Sequence, residues 1–137
     1  MIEIVERKKK PILESQIQKQ FKEWLDKQPD LHHWKTNDQY TRGVSDMIIC
    51  ISGIFLAIEL KVPGKEPSQL QADFIKKIIS KGGIACWCDT VKQCISVVEY
   101  VRTHRAKIAE NIKKEGRAGL LITKSPDGNA MNFTLDF

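Results

Sequence analysis

The sequence has no apolar segment approaching the roughly 18 consecutive residues that a membrane-spanning helix needs. Its N-terminus also lacks the charged and then apolar pattern of a signal peptide. These two absences predict an intracellular, cytoplasmic protein with no membrane partner. A chain of 137 residues is long enough to bury one hydrophobic core, so we expect a single domain over residues 1–137.

The chain has four cysteines, and none has the Cys-x-x-Cys spacing typical of a structural zinc site, so a zinc site is the less favoured alternative. Cys50, Cys86, Cys88 and Cys94 fall inside or beside apolar runs, which predicts reduced thiols in the core. Charge of one sign is not in large excess either, since 22 basic and 17 acidic residues give a net charge of +5. This balance is compatible with a polyanionic partner without requiring one.

Two short apolar runs rich in β-branched residues lie between residues 47 and 60, separated by a Ser-Gly pair. This pattern predicts a β-hairpin with a two-residue turn. If Ile51 faces Ile54, each step away from the turn keeps the two residue numbers at the same sum, so Asp46 faces Glu59. A one-residue bulge at the turn would shift this register.

The predicted pairing places two carboxylates side by side, which destabilises a sheet unless a positive charge lies nearby. Strand periodicity sends Glu59 and Lys61 to the same face, so Lys61 joins the carboxylates. Such a group suits a divalent cation and a phosphate, because Mg²⁺ is commonly bound by one or two carboxylates plus substrate phosphate. The alternative is a surface salt bridge between Glu59 and Lys61 at a strand end. The facing Asp46 favours the cation site.

A helix is predicted over residues 12–27. At 100° per residue, Ile17, Phe21 and Leu25 form its buried stripe, and Glu14 is the one acid on that stripe. Burying an ionised carboxylate is costly unless it is paired or coordinated, so Glu14 is expected to need a partner from the sheet. The alternative is that Glu14 only stabilises the first turn through the helix dipole.

The remaining patterns predict an edge strand over residues 31–37, a helix over 68–81, a strand over 84–88 and a helix from residue 90. Both helices begin at a capping box, Ser68 with Gln71 and Thr90 with Gln93. The apolar face of the first of them consists of Leu70, Phe74, Ile75, Ile78 and Ile79. Three adjacent strands followed by a helical crossover imply a mixed sheet flanked by helices.

From residue 104 the sequence becomes basic, which predicts an extension of the last helix with Ile108 and Ile112 as its apolar anchors. Residues 120–123 and 131–137 flank a Ser-Pro-Asp-Gly-Asn turn signal and predict a hairpin. Three roles stay open for this C-terminal extension: covering the sheet, forming a dimer contact, or binding a polyanion.

A set of motifs lies in a fixed order within about residues 12–100: Glu14, Gly43-Val44-Ser45-Asp46, Glu59-Leu60-Lys61, Ser68-x-x-Gln71 and Gly82-Gly83. In this order, the motifs resemble the VRR-NUC type of the PD-(D/E)XK nuclease superfamily. Ser45 departs from the proline common in the family, which loosens a turn without removing a ligand. The resemblance implies an α/β, restriction-endonuclease-like fold with core order αβββαβ, to which this chain adds a C-terminal helix and hairpin.

The same resemblance implies metal-dependent hydrolysis of phosphodiester bonds, with Mg²⁺ or Mn²⁺ as cofactor. Glu14, Asp46, Glu59 and the carbonyl of Leu60 would then bind the metal. Lys61 would orient the attacking water and stabilise charge on the phosphate, completing a catalytic set that comprises Asp46, Glu59, Lys61 and Gln71. The capping box alone is a sufficient structural explanation for Gln71.

Tyr40, Arg42 and Lys65 lie in polar loops on either side of the hairpin and are candidates for contact with DNA. Small stand-alone relatives imply a bacterial or phage-encoded homodimer that cuts branched DNA such as four-way junctions. The alternatives are a nuclease for flap, nicked or single-stranded DNA, and a nucleic-acid-binding module without catalysis. The third alternative is a structural protein in which Glu59 and Lys61 only form an ion pair.

Overall fold

The computed structural model of this protein describes residues 12–35 and 47–136. The described residues form four helices and six strands, in the order α1 (Glu14–Leu25), β1 (Leu31–Lys35), β2 (Met47–Ile51), β3 (Ile54–Leu60), α2 (Gln69–Ser80), β4 (Ile84–Cys88), α3 (Val91–Thr103), α4 (Arg105–Glu115), β5 (Leu120–Lys124) and β6 (Met131–Leu135). None of these helices is long and apolar enough to cross a membrane.

The first four strands form one mixed sheet in the order β1-β2-β3-β4. The β1–β2 and β2–β3 pairs are antiparallel, whereas β4 returns parallel to β3 after the α2 crossover. Helices lie on both faces, so the predicted α/β fold, a mixed sheet flanked by helices, is confirmed. The arrangement is consistent with a restriction-endonuclease-like fold.

The β2–β3 hairpin has the predicted register, with Ile51 opposite Ile54 and Met47 opposite Ile58. Ser52 and Gly53 both adopt positive φ angles, 48° and 86°, as a tight two-residue turn between twisted strands requires. No bulge interrupts the described ladder. The predicted pairing of Asp46 with Glu59 lies outside the described residues.

The main hydrophobic core lies on one face of this sheet. Side chains of β3 such as Leu56 and Ile58 pack there with the buried stripe of α1 and with α3. The buried residues of α1 are the three that helical periodicity predicts, Ile17, Phe21 and Leu25. The α1 stripe therefore fixes which side of the sheet the helix covers.

The other face of the sheet is covered by α2 and is less completely buried. Its small core consists of Ile48, Ala57 and Ala85, against which the middle of α2 packs. Leu70 and Ile79, at the two ends of the predicted apolar face, are instead 54% and 44% exposed, so the prediction is wrong for them. The two alanines offer little surface, and only the central turns of α2 cover them.

The C-terminal extension packs against the same main core. Ile108, Leu120 and Met131 are buried members of that core, and the rings of Tyr100 and Phe133 stack with centroids 4.2 Å apart. Hairpin β5–β6 thereby covers α3 and borders β4.

The predicted extension of the last helix is wrong in two details. His104, with φ −104° and ψ 18°, separates α3 from α4, so the helix is not continuous. Ile108 is buried as predicted, but Ile112, one turn further along α4, is 41% exposed.

Three of the four cysteines are buried free thiols, as predicted. A hydrogen bond with Cys88 and burial raise the pKa of Cys86 well above its usual value, so this thiol stays neutral. Cys50 is exposed, which corrects the prediction of a core thiol there. It pairs with the exposed Phe55 near the hairpin turn.

The second capping box is only half formed. Thr90 Oγ1 accepts a hydrogen bond from the Gln93 backbone N–H at 3.1 Å, as predicted. The Gln93 side chain does not return to Thr90. It accepts from the Asp89 N–H at 3.0 Å and donates to the Gly128 and Asn129 carbonyl oxygens at 3.0 and 3.3 Å. Gln93 therefore ties the turn of hairpin β5–β6 to the start of α3.

A second connection joins Asp30, the residue before β1, to α3. Arg102 donates from Nε and Nη2 to the two carboxylate oxygens of Asp30, at 2.7 and 2.8 Å. This two-point contact holds the pKa of Asp30 below its usual value and raises the pKa of Arg102. Both side chains are about a quarter exposed, so solvent weakens the pair only in part.

Candidate active site

Glu59 lies near the carboxyl end of β3 and is only 1% exposed. Alternation along the strand places it on the α2 side of the sheet, together with Ala57. Burying an ionised carboxylate costs on the order of several kcal/mol of folding free energy unless polar groups compensate its charge. The groups around Glu59 therefore determine how its buried charge is stabilised.

Gln71 is the first of these neighbours and has two roles at once. Its Oε1 accepts from the Ser68 N–H at 2.8 Å, and its own N–H donates to Ser68 Oγ at 3.3 Å, which completes the predicted capping box. Its Nε2 also donates to Glu59 Oε1 at 2.5 Å. One amide thus fixes the start of α2 and orients the buried carboxylate.

Lys61 is the second neighbour. Its Nζ lies 3.8 Å from Glu59 Oε1, and its side chain is 18% exposed. The distance is about 1 Å longer than a charge-assisted hydrogen bond, so the ammonium is close to the carboxylate without being closed onto it. The backbone N–H of Lys61 donates to the Cys88 carbonyl at 2.9 Å, which extends the β3–β4 ladder to this residue.

Glu14 is the first residue of α1, and its side chain is half-buried. A cleft of about 370 Å³ is lined by the first turns of α1, by Pro63 and by Thr90. Because Pro63 follows β3 and Thr90 follows β4, α1 begins at the end of the sheet where Glu59 and Lys61 lie. The structure thus brings Glu14 to the same end of the fold.

The predicted ligand set is only partly within the described residues. Glu14, Glu59 and Leu60 are described, whereas Asp46, Tyr40 and Arg42 are not. Within residues 12–35 and 47–136, no three His, Cys, Asp or Glu side chains are close enough together to hold a metal ion. The donor types that are present, carboxylate and carbonyl oxygens, fit a hard divalent cation such as Mg²⁺ or Mn²⁺.

A larger cleft of about 750 Å³ adjoins this cluster, and Lys65 lies on its edge. One wall is Trp87, which pairs with Glu59 in the parallel ladder. Lys124 Nζ lies 2.9 Å from Asp89 Oδ2 and 3.7 Å from the centroid of the Trp87 ring. Sequence reasoning missed these three residues, although a parallel β3–β4 pairing would have pointed to Trp87.

Comparison with known proteins gives one family and a common fold. Residues 2–92 match the VRR-NUC domain. A solved structure named "VRR_NUC domain protein" superimposes with a TM-score of 0.56 at 22% identity, covering 68% of this chain and 91% of its own. Another, named "VRR_NUC domain", has a TM-score of 0.56 at 19% identity and covers 64% and 95%. No curated protein matches the chain.

Proposed function

This chain belongs to the VRR-NUC domain family, whose activity is of the nuclease type, and from that premise we propose that it is a Mg²⁺- or Mn²⁺-dependent DNA endonuclease. The observation that supports the proposal is the environment of Glu59. This carboxylate is almost fully buried between the amide of Gln71 and the ammonium of Lys61, at the end of the sheet where α1 begins. A buried acid that has an ammonium 3.8 Å away and accepts a hydrogen bond from an amide is an arrangement found at reactive sites.

In the proposed reaction, water attacks a phosphodiester phosphorus and the 3′ oxygen leaves, giving 5′-phosphate and 3′-hydroxyl ends. Glu14, Asp46, Glu59 and the Leu60 carbonyl would hold the cation, which would supply Lewis acidity to the phosphate and the attacking water. Gln71 keeps Glu59 in one orientation through its hydrogen bond. Lys61 holds the attacking water and stabilises the negative charge that develops on the phosphate.

We further propose that the substrate is branched DNA, such as a four-way junction, and that the enzyme acts as a homodimer. With one active site per subunit, a dimer can nick two strands of one junction. Exposed apolar residues on the α2 side of the sheet, Leu70, Ile79 and Phe55, are compatible with a subunit contact. Tyr40, Arg42 and Lys65 are the residues proposed to contact the DNA.

The test is metal-dependent cleavage of a labelled four-way junction by purified variants. Asp46→Asn, Glu59→Gln and Lys61→Ala should each lower the rate by about a hundredfold or more, because each removes a group that acts on the phosphate or its cation. Glu23→Gln and Lys81→Ala, at exposed positions away from the site, should cut as wild type. Undiminished cleavage by the first three variants would remove the assignment. Flap, nicked and single-stranded substrates in the same assay test the alternative substrate classes.

A structural role for Glu59 and Lys61 is the main competing interpretation. Calorimetric titration with Mn²⁺ separates the two, because a purely structural pair predicts no heat of metal binding. The Lys61–Glu59 distance of 3.8 Å supports the catalytic interpretation, since a stabilising buried pair needs close, hydrogen-bonded geometry. We expect the heat to appear with wild type and to be lost with Glu59→Gln.

A further inference from the structure

The cleft of about 750 Å³ beside Glu59 is not explained by catalysis at a phosphate. It lies between the loop after β3, the end of β4 and the turn of hairpin β5–β6. Its volume falls within the range of cavities that bind small organic molecules, about 300–1,000 Å³. Trp87, which lines it, is the partner of Glu59 in the β3–β4 ladder, so the cleft lies one strand away from the proposed reaction centre.

The charges around the cleft disfavour a phosphate group inside it. Three carboxylates, Glu66, Asp89 and Asp127, line it together with two ammonium groups, Lys65 and Lys124. Asp89 and Lys124 are paired at 2.9 Å and cancel one another. A hydrogen bond from a neighbouring serine hydroxyl lowers the pKa of Asp127, so that group stays ionised. The remaining charge is net negative, which repels a phosphate but not an uncharged ring.

Three polar side chains of the cleft have no hydrogen-bond or ion-pair partner among the described residues: Lys65, Glu66 and Thr123. They supply a donor, an acceptor and a hydroxyl that can act as either. Enzymes that read a single base do so with a few such groups along its hydrogen-bonding edge and with flat apolar surface against its ring. The cleft combines these polar groups with the Trp87 side chain, one face of whose ring carries the Lys124 ammonium 3.7 Å from its centroid.

We propose that this cleft binds an unpaired nucleobase of the DNA strand that is being cut. The inference rests on the proposed nuclease function and adds a basis for substrate choice. Taking a base out of the helix costs a few kcal/mol, and the cost is smallest where the base is already unpaired or weakly paired. A cleft for one base would therefore direct the enzyme to branch points and other interrupted duplexes without reading sequence.

The experiment compares three metal-free DNA probes by fluorescence anisotropy in the presence of EDTA. One duplex contains a single unpaired thymidine, the second has an abasic residue at that position, and the third is fully paired. Wild type should bind the first probe about tenfold more tightly than the other two, which is the scale of one recognised base. Thr123→Trp, which fills the cleft from an exposed position on β5, and Glu66→Ala, which removes the free acceptor, should both reduce this preference to less than about twofold.

Thr134→Trp is the matched control, because Thr134 is also exposed, lies on the same face of the hairpin and does not line the cleft. It should keep the full preference. Equal binding of the thymidine and abasic probes by wild type would overturn the inference, as would an unchanged preference in both cleft variants. The two proposals fail separately: loss of base preference with intact junction cleavage rejects only the cleft, whereas wild type that cuts no DNA rejects the nuclease function.

Discussion

Substitution of Gln71 can separate a structural role from a role in the candidate site, because the oxygen and the nitrogen of its side-chain amide make different contacts. Its Oε1 caps α2 through Ser68, whereas its Nε2 donates to Glu59. Gln71→Glu keeps the first contact, since glutamate completes a capping box as well as glutamine does. The same change removes the donor and places a second carboxylate against Glu59. Ser68→Ala is the complementary variant, which weakens the cap and leaves the Gln71–Glu59 contact in place.

The expected magnitudes differ enough to be measured. Ser68→Ala should lower the free energy of unfolding by about 1 kcal/mol, as other lost N-caps do. Gln71→Glu should lower it by about 2–3 kcal/mol at pH 7, because a hydrogen bond to a charged group is lost and replaced by repulsion at close range. If Gln71 were only a cap, the variant would be neutral or slightly stabilising, since an acid in the first turn interacts favourably with the helix dipole.

The pH dependence of Gln71→Glu provides an independent check. Two facing buried carboxylates share a proton, so the pKa of one of them rises above its usual value. A group whose pKa is raised in the folded state binds more protons there, and stability therefore increases as the pH falls. Urea unfolding in EDTA at pH 7 and pH 5 should show a deficit that shrinks at the lower pH. Wild-type stability for Gln71→Glu at pH 7 would refute the role of Gln71 in holding Glu59.

The remaining predictions concern the rest of the fold. Arg102→Lys should lower the free energy of unfolding by about 1 kcal/mol because lysine cannot make the two-point contact with Asp30. That contact lowers the pKa of Asp30, so its contribution to stability is present above the usual carboxyl pKa and is lost as the pH falls through the lowered value. Acid unfolding followed by circular dichroism should therefore be less steep in Asp30→Asn. Gly82 and Gly64 both have positive φ, 88° and 85°, but only at Gly82 would a Cβ overlap backbone atoms of the segment after α4. Gly82→Ala should therefore lower the melting temperature far more than Gly64→Ala. Equal melting temperatures for these two variants would contradict that packing. Gln93→Glu keeps the acceptor for the Asp89 N–H but loses both hydrogen bonds donated to the hairpin carbonyls. Hydrogen exchange of the β5–β6 amides should therefore accelerate about tenfold or more. Unchanged exchange would mean that other contacts hold the hairpin.

Local signals in the sequence were sufficient for most of the elements and for one register. A Ser-Gly pair between β-branched runs defines the β2–β3 turn, and counting from Ile51 and Ile54 gives the pairing of Met47 with Ile58. Helical periodicity likewise gave the buried stripe of α1. These features depend on neighbours in sequence, so no knowledge of the tertiary structure was needed to find them.

Contacts between distant segments were not predictable in the same way. The amide of Gln93 looks like half of a capping box until the turn of hairpin β5–β6, 35 residues away, presents its carbonyl oxygens. Arg102 and Asp30 are 72 residues apart, and nothing local pairs them. The failed predictions for Cys50 and Leu70 have a similar cause, because the extent to which α2 covers the sheet depends on which strands lie beneath it.

Part of the candidate site was predictable because it follows strand periodicity. Glu59 and Lys61 share a face for that reason, and the capping box placed Gln71 at the start of α2. That the same glutamine reaches Glu59 depends on how the α2 crossover sits on the sheet. The cleft lined by Trp87 and Lys124 was missed because its walls come from β4 and β5, which only the folded chain brings together.

The backbone N–H of Lys61 donates to the Cys88 carbonyl. Glu59, the proposed cation ligand, and Lys61, proposed to act on the phosphate, are therefore both anchored in a hydrogen-bonded sheet rather than in a loop. Side chains mounted on a rigid ladder lose little conformational freedom when a ligand arrives. The entropy cost of ordering Glu59 and Lys61 on substrate binding would therefore be small. In the proposed nuclease, the free energy gained on association would remain available for bending and unpairing the DNA.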